Sequence, residues 1–210
     1  MIKENTQIGQ DCNIFQGAIL GEIPQDLKFE NEHSILTIGN NTTIREYVTI
    51  NRGTKDRRET TIGNNILMMA YVHVGHDTKV DDNVIIANSV QIGGHVEINQ
   101  NAIIGGSTPI HQFSKIGAFS IIGGGLRIIQ DIPPYIIAAG EPLKFSGINS
   151  IGLRRNNFSA EDRKTIKHAY KYIYKSGLNR SEAIKKIEHS FSNKKLVQSI
   201  ISFIKSSNRG

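Results

Sequence analysis

From Ile2 to Ile128, nearly every sixth residue is a large aliphatic. The series runs Ile2, Ile8, Ile14, Leu20, then Ile38, Ile44, Ile50, then Ile62, Met68, Val74, Val80 and on in unbroken phase through Ile86, Ile92, Ile98, Ile104, Ile110, Ile116 and Ile122. Asp26, Glu32 and Asp56 leave the phase. A period of six fits neither a helix nor simple strand alternation. It marks a structural repeat, each step a short strand followed by a corner. The first residue of a step points inward. The fifth is small or β-branched, as at Val72, Thr78, Val84 and Ala102. The second is often Gly, as at Gly63, Gly75, Gly93 and Gly105, which is expected to supply the backbone freedom that corners demand. The third and fourth face outward. Three steps close a triangular coil, and coils stacked about 4.8 Å apart bury one another's faces. The pattern predicts a β-solenoid over residues 1–134.

Two segments, 21–35 and 51–60, are polar loops projecting from this frame, and such loops usually carry function. The period stops at Ile132-Pro133-Pro134, where two prolines are expected to end the ladder. A connector spans 135–158, and a helical domain follows over 159–210. Ser159 with Asp162 caps a helix whose apolar face holds Ile166, Ala169, Tyr170, Ile173 and Tyr174. Asn179 with Glu182 opens a second helix. A third starts near 193 and carries Leu196, Ile200, Ile201 and Ile204.

Composition narrows the function. The formal net charge is +6, which favours acidic partners, and basic residues crowd the helical domain. Cys12 is the single cysteine, so neither an intrachain disulfide nor a thiolate metal cluster is expected. The N-terminus has no long apolar core and no apolar run approaches about 18 residues. A cytoplasmic protein without stable membrane insertion is expected.

The chemistry concentrates on one corner. Residues one coil apart place Gly75-His76-Asp77 over Gly93-Gly94-His95, and that over His111-Gln112-Phe113. Four of the seven histidines fall here, with His73 just before the column. Asp77 is set against His95, where a carboxylate raises imidazole basicity and fixes its orientation. His76 sits over Gly94, whose missing side chain leaves an N–H open. A base beside a free N–H donor is the minimum kit for acyl transfer. Locally satisfied surface histidines are one alternative. Zinc held by His73, His76 and His95, as in carbonic-anhydrase-like solenoids, is another. Convergence of four histidines on and just before one column favours acyl transfer, with no metal.

Ordered local motifs sharpen this. They are Gln25-Asp26-Leu27-Lys28, Asn51-Arg52-Gly53-Thr54, His73-Val74-Gly75-His76-Asp77, Gly93-Gly94-His95, Ile110-His111-Gln112-Phe113, Gln130-Asp131-Ile132-Pro133-Pro134-Tyr135, Gly147-Ile148-Asn149 and Gly152-Leu153-Arg154-Arg155. From about residue 21 onward the chain resembles the bacterial UDP-N-acetylglucosamine O-acyltransferases that begin lipid A synthesis. The resemblance implies a left-handed parallel β-helix, an exception to right-handed crossovers. It implies a homotrimer with sites between neighbouring subunits. It further implies transfer of a 3-hydroxyacyl chain from acyl carrier protein to the sugar 3-position. The carrier thioester is then the co-substrate, with no further cofactor and no nucleic acid partner. His76 would be the general base, Asp77 its support and the Gly94 N–H the oxyanion donor. His73, His95, His111, Asp26 and Lys28 would surround sugar and pyrophosphate. Gly106, Gln112, Asn149 and Arg155 would hold the nucleotide side, and Gly124 would leave room for a long acyl chain. The basic helices would meet the acidic carrier. Departures from the family pattern are about one coil before the Gln25–Lys28 loop, Asn51 where His is common, Ser150 and Ile151 where a Glu is expected, and Asn156 for a second Arg. A paralogue using another nucleotide sugar, a 3-amino acceptor or an acyl-CoA therefore stays open.

Overall fold

A computed structural model describes residues 1–191 and 194–209. Its strands form three sheets, the faces of a prism, of six, eight and five strands, parallel throughout except for one strand at the end of the eight-stranded sheet. Successive steps visit the faces in turn. Val80 of the first face pairs with Ile62 and Ile98, Ile86 of the second with Met68 and Ile104, and Ile92 of the third with Val74 and Ile110. The first residues of the steps from Leu20 through Ile128 fill the interior at 3 % exposure or less. Each such side chain contributes roughly 1.5–3 kcal/mol. Ile2 and Ile14 are exposed, since their coil has a neighbour on one side only. The fifth residues, including Val72, Thr78, Val84 and Ala102, are buried beside them.

The corners correct one expectation. The left-handed residue is the fourth of each step, not the second: Asn65, Asn83 and Asn101 take φ of 56°, 61° and 59°. Asn tolerates that region through its short polar side chain. The second-position glycines serve close approach instead. A Cβ on Gly93 would lie 2.8 Å from the backbone N of Gln112 on the next coil. At the corner after the first face, third-position side chains cap backbone N–H groups of the preceding coil. Asn40 Oδ1 accepts from Gln10 N at 2.7 Å, Asn64 Oδ1 from Asn40 N at 2.8 Å and Asp82 Oδ1 from Asn64 N at 2.7 Å.

The ladder also outlasts the prolines. Pro133 and Pro134 take a corner against Gly117, where no ladder N–H is needed, and Tyr135 is its left-handed residue (φ 68°). Strand Ile136–Ala139 then adds to the second face beside Ile121–Ile122, and Lys144–Ile148 returns antiparallel. The segment expected as a connector thus holds two strands and a short helix, α1 (Ser150–Arg155). The helices α2 (Ala160–Lys175) and α3 (Arg180–Ser190) open on complete capping boxes, Ser159/Asp162 and Asn179/Glu182. The third expected helix is α4 (Lys195–Ser206); position 193 lies outside the described residues. Tyr170 is fully buried and donates its hydroxyl to Pro134 O at 2.5 Å. Asp131 Oδ2 accepts from Ser207 Oγ at 2.7 Å and from the backbone N of Asn208 and Arg209. These contacts tie the helices to the last coil.

Candidate active site

The corner after the third face carries the histidine column. His76 is the third residue of its step, Asp77 the fourth, with φ 58°. Asp77 does not face solvent as its position suggested. It is fully buried under the 51–60 loop. Thr54 N and Arg57 N donate to Asp77 Oδ1 at 3.0 and 3.2 Å, and Thr54 Oγ1 donates to Oδ2 at 2.6 Å. Asp77 N donates to Thr60 Oγ1, and an Arg57–Glu97 ion pair of 2.6 Å pins the loop to the solenoid.

His76 Nδ1 lies 2.7 Å from Asp77 Oδ2. A carboxylate only accepts, so Nδ1 carries the proton and Nε2 is the basic nitrogen. Burial alone would push the Asp77 carboxyl up. Hydrogen bonds from His76 and Thr54, and the nearby His95, outweigh it and hold the carboxyl at about 2. His95 is 8 % exposed, its Nε2 lies 3.6 Å from Asp77 Oδ2, and its ring stacks on Phe113 with centroids 4.5 Å apart. Burial pulls the His95 imidazole below its ordinary value against the opposing pull of Asp77. His73 Nδ1 bonds Thr49 Oγ1 at 2.8 Å, and burial depresses it too.

Gly94 faces the His76 ring. A Cβ there would stand 2.7 Å from His76 Cε1 and Nε2. Its backbone N–H makes no hydrogen bond among the described residues, unlike the third-position N–H groups of Gln10, Asn40 and Asn64. Gly75 keeps that donor open, since a Cβ on Gly75 would lie 2.7 Å from Gly94 N. Base and donor line an open cleft of about 390 Å³, walled by Asn51, His73, Gln91 and Gln112 and floored by Gly75 and Gly93.

Not every expected residue converges within one chain. The 21–35 loop reaches the cleft through Gln25, while Asp26 caps its own turn by accepting from Lys28 N, and Lys28 is exposed. His111 is exposed and bonds the carbonyl of Gln112. Gly106 and Gly124 belong to the preceding corner, between the second and third faces; a Cβ on Gly124 would meet Gly106 O at 3.0 Å. Asn149 is buried as the N-cap of α1, donating to Phe119 O and accepting from Gly152 N, and Arg155 is exposed in that helix. The sequence pointed to Thr54 only as part of the Asn51–Thr54 motif, without a role, and did not single out Thr60 or Arg57; the length of the 51–60 loop was the available signal.

Among the described residues, the three groups whose donor atoms come within 4.8 Å of one another are His76, Asp77 and His95, without His73. Four hydrogen bonds already occupy the two Asp77 oxygens, and His73 is turned to Thr49. The donor set suits proton handling better than a cation.

The family model described as UDP N-acetylglucosamine O-acyltransferase, domain 2, matches residues 131–210. An acyl-[acyl-carrier-protein]–UDP-N-acetylglucosamine O-acyltransferase of Aquifex aeolicus is 58 % identical over 198 residues, covering 94 % of this chain and 76 % of the relative. A protein of the same name from Fusobacterium nucleatum is 50 % identical, covering 98 % and 80 %. The solved structure of LpxA, a UDP-N-acetylglucosamine acyltransferase from Bacteroides fragilis, superposes with a TM-score of 0.97 at 47 % identity, covering all of this chain and 82 % of that one.

Proposed function

This chain belongs to the UDP-N-acetylglucosamine O-acyltransferase family and shares its left-handed parallel β-helix, and from that membership we propose how its corner site works. The activity is acyl transfer from an acyl carrier protein to UDP-N-acetylglucosamine. The sugar 3-hydroxyl enters the cleft and gives its proton to His76 Nε2 as its oxygen attacks the thioester carbonyl. The tetrahedral oxyanion is held by the Gly94 N–H. Collapse breaks the C–S bond, and the carrier thiolate takes the proton back from the His76 imidazolium. Asp77 fixes the tautomer of His76 and stabilises its cationic form, and Thr54, Thr60 and Arg57 fix Asp77.

The thioester carries all the reactivity required, so no further cofactor enters. Asn149 and Arg155 at helix α1, and the Gly106 and Gly124 corner, reach substrate across subunit boundaries in a homotrimer. None of the described helices is long and apolar enough to cross a membrane. Work in the cytoplasm, where carrier thioesters are made, completes the reading.

The observation that carries it is the His76–Asp77 pair set over the unpartnered Gly94 N–H. His76→Ala should abolish acyl transfer, read by mass spectrometry of the sugar product, with circular dichroism unchanged. Turnover retained in that variant removes His76 as the base.

A further inference from the structure

Asn51 stands beside the base and takes no part in the steps at His76, Asp77 and Gly94. It is the second residue of its step on the third face. Register places Ile50 beside Val74 and Val74 beside Ile92, so Asn51, Gly75, Gly93 and His111 form one column. The two glycines make a bare trough, and Asn51 stands at one end of it. Asn51 is 3 % exposed and lines the cleft together with His73 and His76. Its Nδ2 donates to Ile23 O at 2.8 Å and reaches Glu22 O at 3.5 Å, which settles the orientation of the amide. Its Oδ1 is buried and has no partner among the described residues. A buried carbonyl oxygen left unsatisfied costs about 1–3 kcal/mol, so a native site keeps one only where something supplies a donor.

We propose that Asn51 is a specificity-determining residue whose Oδ1 accepts a hydrogen bond from a hydroxyl or amide N–H of bound substrate. The inference rests on the acyl-transfer reading and adds a contact to it. An acceptor held beside the trough reads only a donor. Two substrates bring one there: the amino sugar, through a ring hydroxyl or its N-acetyl N–H, and a 3-hydroxyacyl chain, through its own hydroxyl. The two sources separate kinetically.

The test compares wild type with Asn51→Leu, which keeps the volume and withdraws the oxygen. KM for UDP-N-acetylglucosamine is measured with one carrier. Then kcat/KM is measured for 3-hydroxyacyl and unsubstituted acyl carriers of equal length. If the sugar is read, Asn51→Leu raises that KM about 3- to 10-fold and leaves the preference between carriers alone. If the acyl hydroxyl is read, the preference for the hydroxylated carrier falls by a similar factor and KM for the sugar stays. Asn51→Asp keeps an oxygen in place but loses the donation to Ile23, so it should retain the constant that leucine damages. The opposite ranking assigns Asn51 a merely structural role and overturns the proposal, as does a leucine variant within twofold of wild type in both arms. Should leucine fail to fold, Asn51→Ala withdraws the oxygen in its place under the same criteria. A wild-type protein that acylates no UDP-N-acetylglucosamine from any carrier sinks the functional reading. An active wild type with an indifferent Asn51 sinks this inference alone.

Discussion

Asp77 never titrates near neutrality, and that decides its role. Held at about 2, it is an anion wherever the protein works, so it orients and stabilises rather than exchanging protons. Asp77→Asn keeps the shape and loses the charge, and the amide can present its N–H₂ to His76 and favour the wrong tautomer. The expected loss in kcat is about 10²–10⁴-fold, read by steady-state kinetics. Stability follows the same groups. Asp77 is lower in the folded chain than in the unfolded one, so its stabilisation is complete above about pH 4 and fades as pH falls toward about 2. His73 and His95 are also depressed, but as bases. The unfolded chain takes up their protons first, so stability already declines as pH drops below about 6.5. Melting temperature against pH should show both declines; Asp77→Asn should erase the acid one and, by removing the upward pull of Asp77 on His95, steepen the other.

Two glycines at this corner should respond differently to the same methyl group. At Gly94 the added carbon meets the His76 ring first, a side chain that can swing aside. Gly94→Ala should fold normally and lose about 10²-fold in kcat through a displaced base. At Gly75 the carbon meets the backbone of Gly93 and Gly94, which cannot yield without opening the coil. Gly75→Ala should therefore lower the melting temperature as well as activity, and calorimetry beside kinetics separates the two.

At the scale of the element, the period of six made the coil and its inward residues legible, because burial acts on every step alike. The corner was half legible. Glycine at the second position was visible, but its cause is the approach of the next coil, a long-range fact that one strand does not display. The fourth position hid because Asn, Ser, Tyr, Asp, His and Phe all occupy it, so no single residue type marks it. If that position carries the strain, Asn83→Val should cost roughly 1–2 kcal/mol and Asn83→Gly little or nothing, by urea denaturation. The histidine column was readable for the same reason as the core: constant spacing stacks it. The cover over Asp77 was not, since a loop of irregular sequence gives no register, and its contact to Asp77 spans 20 residues or more. The strands after Pro134 were missed because proline was read as a ladder breaker when it occupies a corner.

At the scale of the molecule, charge is divided unevenly. Twelve basic and four acidic residues lie from Ser159 onward, so the helical domain is more cationic than the whole chain at +6. Two of the acids are spent locally, Glu161 on Lys194 and Glu188 on Lys205. On α2, Lys164, Lys167, Lys171 and Lys175 recur three or four residues apart, one exposed stripe with no ion pair among the described residues. The clasp of Asp131 on the C-terminal segment and the Tyr170 hydroxyl on Pro134 hold that stripe at a fixed place on the solenoid. A fixed field of one sign speeds encounter with an acidic carrier more than it tightens the complex, and salt screens it within about 8 Å at physiological ionic strength. Raising salt from about 50 to 500 mM should therefore lower kcat/KM for the acyl carrier roughly tenfold or more, while KM for the nucleotide sugar moves far less. Reversing Lys167 and Lys171 to Glu should flatten that dependence and leave the melting curve in place. A kcat/KM indifferent to salt in the wild type would remove the stripe as the carrier's landing surface and shift the search to the corner beside His76.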